Sequence, residues 1–326
     1  MQVNKKVRRQ NISWLENNTH YINCAVFIDR AVTKVMDCIF EHCSFRDESL
    51  MIQYIENCEF TCCNFHILTS NFRNSTFHKC HFIEINTNYV PKSTLRDCHI
   101  KRLLLCGGEI DIESLTSVDS LVELSLENMQ VENIEMLLRV DNLQSLDLRG
   151  VPAYVFSDDF ARMQFSQLLK LDLSNTACSD RNIEFLKDYS SLQILNLGRT
   201  NVTSRGLKHL RNLHNLQSLF LNETKVKDLA DLPALANLKF LNLADSDFDD
   251  YVALAKFPSL THLDLADIPL RLEVVNYVKQ LPNLKWLSVC IGDISIDVWQ
   301  KNLPHLPYFS RAGWGRLDWI WHFWNG

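Results

Sequence analysis

From Leu121 onward the chain repeats one pattern: a leucine, two intervening residues, a leucine, one residue, then another leucine or valine. The string opens at Leu121, Leu143, Leu168, Leu192, Leu216, Leu238, Leu260 and Leu284, at separations of 22, 25, 24, 24, 22, 22 and 24 residues. Eight copies at that period signal a stacked array rather than one globular core. In LDLSNT or LNLGRT the last two leucines flank a single residue, so both face inward from a short strand while their neighbours face out. One coil cannot bury its leucines alone. Stacked coils bury them against each other and align the strands into a parallel sheet. The limbs between strands, such as SRGLKHLRNLHN, have helical leucine spacing and predict short helices behind the sheet. The 22-residue coils, such as KDLADLPALAN, leave room only for single turns or 3₁₀ segments. Thr176, Thr200, Thr224 and Ser246 recur at the ninth position, where a hydroxyl satisfies backbone groups as the chain turns off the sheet.

Residues 24–105 keep a different rhythm. CIFEHCSF and CEFTCCNF place Cys38, Cys43, Cys58 and Cys63 two residues ahead of Phe40, Phe45, Phe60 and Phe65. The pairs recur at five residues and the block at twenty. Phe72, Phe77 and Phe82 continue it, then Leu95, Ile100 and Leu105. Residues two apart on an extended side point the same way, so each thiol reads as a compact core group beside a large one. Cys38, Cys58, Cys80 and Cys98 are also 20, 22 and 18 residues apart, so the same segment reads equally as degenerate coils with Cys-x-Phe in place of Leu-x-Leu.

The eight Leu-x-x-Leu-x-Leu copies resemble the leucine-rich repeat family over about 121–305. The five-residue Cys/Phe step resembles the pentapeptide-repeat family over about 24–105, which implies a square β-solenoid with four five-residue sides per coil. Degenerate leucine-rich coils remain the other account of that segment. The fold class expected is an α/β solenoid: a leucine-rich repeat array with a parallel concave sheet, preceded by β-solenoid coils, in one elongated right-handed body. The division expected is 1–20 an N-terminal cap plugged by Trp14 and Leu15, 21–115 the Cys/Phe-rich coils, 116–305 eight leucine-rich repeats, and 306–326 a Trp-rich C-terminal cap. Four of the seven tryptophans, Trp314, Trp319, Trp321 and Trp324, lie in that last segment. Closing the final coil is the role expected of it, with a membrane-interface or partner anchor as the alternative.

Composition narrows the function. The 326 residues carry 33 Lys+Arg against 39 Asp+Glu, with 46% hydrophobic and 22% charged residues, the balance of a folded soluble chain. Residues 116–305 hold 18 basic and 25 acidic groups, which argues against a nucleic-acid partner. No run reaches the roughly 18 apolar residues of a membrane span, and the basic start lacks the apolar core of a secretory signal. Eleven cysteines, an odd number, then point to a reducing, cytoplasmic compartment, which delivery into a host cell also satisfies.

Chemistry is hard to find. There is no Walker sequence, no GxGxxG and no HExxH. Cys58, Cys62 and Cys63, with His66, His78 and His81, offer zinc-type ligands, but the core step already explains their spacing, and adjacent Cys62 and Cys63 face opposite ways. Asp245, Asp247 and Asp249 imitate a calcium loop, yet Asp250 stands where glycine belongs and Lys256 where glutamate closes the loop. No catalytic, cofactor or metal residue is assigned, and the protein is read as a non-enzyme without a cofactor.

What remains is a surface. On the concave side one row reads Glu123, Ser145, Lys170, Ile194, Ser218, Phe240, His262, Trp286, and the next Ser125, Asp147, Asp172, Asn196, Phe220, Asn242, Asp264, Ser288. A third row includes Asn222, Ala244 and Ala266. Phe220, Phe240, His262 and Trp286, flanked by Asn222, Asn242 and Asp264, form the expected partner-binding patch. The function expected is non-enzymatic recognition of another protein by a monomer. A bacterial effector or adaptor is suggested by analogy with leucine-rich proteins that pathogens deliver. The pentapeptide resemblance implies the alternative, topoisomerase binding or immunity by duplex mimicry, although residues 1–115 are neutral with 13 basic and 13 acidic groups. A hydrolase with an unrecognised Cys or acid site is the third class.

Overall fold

The structure is a computed structural model that describes residues 5–13, 15–27, 32–45, 50–87, 95–115, 118, 120–140, 142–156, 165, 167–290, 294–304, 306 and 308–311. The chain divides into two compact units, Met1–Val155 and Phe156–Gly326. Both are built from parallel strands joined coil to coil.

In the N-terminal unit the five-residue step is a corner-to-corner distance. Asp37, Asn57 and Asn74 open one side of successive coils, and His42, Cys62 and Lys79 open the next; all six have φ between 47° and 53°. Asn and Asp tolerate that left-handed turn better than most residues. Between corners the Cys and Phe of each pair point inward and are buried. Register stacks Tyr21, Phe40, Phe60, Phe77 and Leu95 in one column, and Val26, Phe45, Phe65, Phe82 and Ile100 in another. Rings lie nearly parallel, with centroids 4.6 Å apart for Phe40–Phe60 and 4.3 Å for Phe45–Phe65. The thiol has a second use. Cys38 donates to the Met36 carbonyl (3.1 Å) and Cys58 to that of Glu56 (3.3 Å), across the corner residue between them. Ser75, in the same place, donates to Arg73 (2.9 Å).

The rest of each coil departs from the square expectation. Instead of two further five-residue sides there is one long strand, as in Leu50–Glu56, Asn64–Arg73, His81–Thr87 and His99–Cys106. Leu68, Ile85, Leu103, Leu124 and Leu146 align across these strands, so the Cys/Phe coils pass into the first leucine-rich strands without a break. The N-terminal residues are rungs as well: Lys5–Arg8 pairs with Thr19–Ile22, and Asn11–Ile12 with Ala25–Val26. Leu15 is half-exposed, and Trp14 lies outside the described residues.

In the C-terminal unit the strands Lys170–Asp172, Ile194–Asn196, Ser218–Phe220, Phe240–Asn242, His262–Leu265, Trp286–Val289 and Tyr308–Arg311 pair in that order, all parallel. Leu171, Leu195, Leu219, Leu241, Leu263 and Leu287 form one buried column. The ninth-position hydroxyls do what their place requires. Thr176, Thr200 and Thr224 donate to the carbonyls of Leu173, Leu197 and Leu221 at 2.6 Å, and Ser246 to that of Leu243 at 2.5 Å. Asparagines set before the opening leucines tie coil to coil. Asn215, Asn237 and Asn283 donate to the carbonyls of Ser190 (3.0 Å), His214 (2.9 Å) and Pro258 (2.9 Å).

The return limbs are tighter than their leucine spacing suggests. Glu184–Asp188, Ser204–Leu210 and Tyr251–Lys256 are 3₁₀, and only Val274–Val278 and Ile296–Asn302 are α-helical among the described residues. A coil of 22 to 25 residues has a short return path, and 3₁₀ helix covers about 2.0 Å per residue against 1.5 Å for an α-helix. No described helix is long and apolar enough to cross a membrane.

Candidate functional site

The side of the C-terminal sheet turned away from the leucines carries the expected rows. Register places Lys170, Ile194, Ser218, Phe240, His262 and Trp286 opposite one another, and likewise Asp172, Asn196, Phe220, Asn242, Asp264 and Ser288. Phe220 and Phe240 have centroids 4.8 Å apart, Phe240 and His262 6.0 Å, His262 and Trp286 6.3 Å. Four aromatic groups from four successive strands thus form one band. Within the N-terminal unit, taken by itself, register sets Glu123 opposite Ser145 and Ser125 opposite Asp147. There Arg149 pairs with Asp147 (2.9 Å), and Arg102 lies between Glu84 (2.8 Å) and Glu123 (2.7 Å).

The polar residues of the second row are partly occupied by their own backbone. Asp172, Asn196, Asn242 and Asp264 each accept from the N–H two residues on, at 2.8, 3.0, 2.9 and 3.1 Å. This is an Asx-type turn that ends the strand. Asn242 and Asp264 are therefore strand terminators as well as surface groups, a role the rows alone do not reveal. Phe220 occupies the same column and has no side-chain acceptor. The ring packs instead with Ile194 and Phe240 in one buried apolar cluster.

Two further groups shape the band. Asn222 Oδ1 is buried with no hydrogen-bond partner among the described residues. It has room because residue 198 is glycine: a Cβ there would stand 2.5 Å from it. His262 is half-buried beside Lys285, and burial first, then that charge, holds its pKa below the ordinary histidine value, so the ring is neutral at pH 7. Its Nδ1 lies 2.9 Å from Thr261 Oγ1.

The band is assembled but not open. Phe220 is 1% exposed, Phe240 3% and Trp286 8%, whereas His262, Asn222, Asn242 and Asp264 are half-buried. The rows predict aromatics presented to solvent; the structure has them brought together and shielded.

The other chemical candidates resolve into structure. Cys58 and Cys63 point into the core while Cys62 is the corner between coil sides. Burial raises the Cys178 thiol to about 12. In the acidic loop Asp250 accepts from the Leu229 N–H (3.3 Å), and Lys256 Nζ donates to the carbonyls of Leu229 (2.9 Å) and Ala230 (3.2 Å). These residues brace the preceding coil. Among the described residues no three His, Cys, Asp or Glu side chains converge as a metal site would require.

No family model matches the chain, and no curated protein matches it in sequence. Solved structures do. A leucine-rich repeat protein of Leptospira interrogans aligns with a TM-score of 0.55 at 16% identity, over 90% of this chain and 89% of that one. A chain of the octameric complex of Latrophilin 3, Unc5D and FLRT2, in which FLRT2 supplies the leucine-rich repeats, aligns at 0.50 with 17% identity, over 81% and 84%. Internalin C2 of Listeria monocytogenes aligns at 0.42 with 24% identity, over 57% and 71%. The protein has the leucine-rich repeat fold, an array of stacked coils with parallel strands.

Proposed function

We propose that this protein is a non-enzymatic binding module that takes another protein on the open face of its C-terminal sheet. Phe220, Phe240, His262 and Trp286 are the anchors, and Asn222, Asn242 and Asp264 the polar rim. The observation that carries this is the aromatic band formed by rings from four successive strands. Large rings held rigidly by a sheet lose little entropy on binding, and such anchors dominate interface energetics. The leucine-rich FLRT2 of the similar structure is itself part of an assembly with two other proteins, which supports the same use here. The setting we propose is a reducing compartment, supported by the thiols of Cys38, Cys43, Cys58, Cys63 and Cys80, which donate to backbone carbonyls at the coil corners. Within that compartment, service as a bacterial effector or adaptor is the role proposed.

A photo-reactive residue tests the surface. Placed at Asn242 on the open face it should give a discrete adduct with one protein in lysate, and placed at exposed Asp247 it should not. The same adducts from both positions, or none from Asn242, would remove the assignment.

A further inference from the structure

A stacked array leaves an end coil with no further coil to bond to. Trp314, Trp319, Trp321 and Trp324, expected to close the last coil, lie outside the described residues. The first coil is described. Its strand Lys5–Arg8 is the outermost of its sheet and pairs, among the described residues, with Thr19–Ile22 alone.

The backbone bonds tell which groups this leaves over. The Lys5 N–H donates to the Asn18 carbonyl (3.4 Å) and the Arg9 N–H to that of Ile22 (3.0 Å), so Lys5, Val7 and Arg9 serve the second coil. Successive residues of a parallel strand turn their N–H and C=O to opposite edges. The N–H and C=O of Lys6 and Arg8 therefore point out of the array. Past the corner at Arg9 (φ 51°), the Gln10 and Ile12 carbonyls accept from the N–H groups of Ala25 (3.0 Å) and Phe27 (2.7 Å), which leaves Asn11 facing outward too. Such an edge is a template for an added strand.

The side chains say which strand fits. Lys6 and Arg8 are exposed, on either side of half-buried Val7, which faces Tyr21. Lys5 is taken by Glu16 at 2.6 Å. Lys6, Arg8 and Arg9 have no carboxylate partner among the described residues. The column that starts at Arg8 continues with Ile22 and then Glu41, whose carboxylate lies 3.2 Å from His20. Three uncompensated cations thus line the unpaired edge. A second copy of the chain would set cations against cations, and like charges directly opposite each other are destabilising. A strand with carboxylates two residues apart would instead match Lys6 and Arg8, because such residues share a face.

We propose that the edge Lys5–Arg8 is a second recognition surface, which takes an extended acidic segment of another protein as an added strand. The outward N–H and C=O groups of Lys6 and Arg8 hold its backbone, and the side chains of Lys6, Arg8 and Arg9 select its alternating carboxylates. This surface belongs to the N-terminal unit and does not depend on the aromatic band.

The test uses the full chain and fluorescein-labelled peptides of about nine residues, one alternating Glu with Thr and one alternating Lys with Thr. Anisotropy should show the acidic peptide bound about tenfold more tightly than the basic one, the effect of two or three exposed ion pairs. The double variant Lys6→Glu with Arg8→Glu should reverse that preference, and its gain of the basic peptide shows that it is folded. No preference for the acidic peptide in wild type, no binding at all, or a preference unmoved by the double variant would overturn the proposal. Strand addition is read separately with two acidic peptides, N-methylated either at every Glu or at every Thr. Methyl groups along one edge should abolish binding, and those along the other edge should leave it intact. Equal binding of the two methylated peptides would reduce the contact to charge attraction and overturn the added strand.

Discussion

Thr200→Val tests the reasoning about how each coil turns. The Thr200 hydroxyl is buried and donates to the Leu197 carbonyl at 2.6 Å, and three other coils repeat this bond. Valine keeps the shape and removes the donor, leaving a buried carbonyl unpaired, which costs about 1–3 kcal/mol. The lost hydroxyl solvation in the unfolded chain offsets little of this, because the penalty lies in the stranded acceptor. Thr200→Asn should cost under about 1 kcal/mol, since its amide also donates, and is the control. Urea unfolding followed by circular dichroism reads both. Combining Thr176→Val with Thr200→Val removes the bond on adjacent coils, close enough that the losses need not add. If Thr200→Val unfolds within about 0.5 kcal/mol of wild type, the level of an inconsequential surface change, the hydroxyl does not hold the turn and the account of the ninth position fails.

Other outcomes follow from particular contacts. Phe60 is stacked between Phe40 at 4.6 Å and Phe77 at 4.5 Å, so Phe60→Ala should cost about 3–5 kcal/mol in denaturant unfolding; a loss below about 1 kcal/mol would mean that the ring column is not a core. A Cβ on Gly206 would strike Asp180 Oδ1, and Asp180 is fixed by Thr203 through its N–H and hydroxyl, both at 2.7 Å. Gly206→Ala should therefore destabilise by about 1–3 kcal/mol, and in an Asp180→Ala background the further loss should be smaller by more than about 0.5 kcal/mol; an unchanged loss would clear Asp180. His262 has a lowered pKa in the folded protein, so the unfolded chain takes up its proton first as the pH falls. Its contribution to stability is full above the ordinary histidine value of 6.5 and is lost as the pH drops below it, until the folded protein's own His262 protonates. His262→Gln should flatten that part of a Tm-against-pH curve between pH 8 and 5, and an unaltered curve would refute it.

Much of the fold was legible because the inward leucines and the Cys-x-Phe pairs are dictated by a strand period of two. Register then followed, and with it both rows of the open face. The ninth-position hydroxyls were legible for a similar reason, since a recurring Thr at a chain turn has few other uses. The long third side of the Cys/Phe coils was not. Phe72 fits the five-residue step, but His66, Leu68 and Ser70 carry no such mark, and an extended strand and two short sides share the same alternation. Asn215, Asn237 and Asn283 did carry a signal, an asparagine just before each opening leucine, visible once coils are aligned on that leucine rather than on the strand. Asn242 and Asp264 were read as surface groups because an Asx turn and a binding row use the same residue types. The shielding of Phe220 was beyond the pattern, because burial of an outward ring depends on what lies across from it.

The most direct test of the binding surface is paired affinity capture from cell lysate with quantitative mass spectrometry. The baits are wild type and a Phe220→Ala, Phe240→Ala, Trp286→Ala variant first shown to be folded by circular dichroism. A protein retained by wild type and lost by the variant is the predicted result. Identical profiles from the two baits would contradict it and move any recognition away from this face.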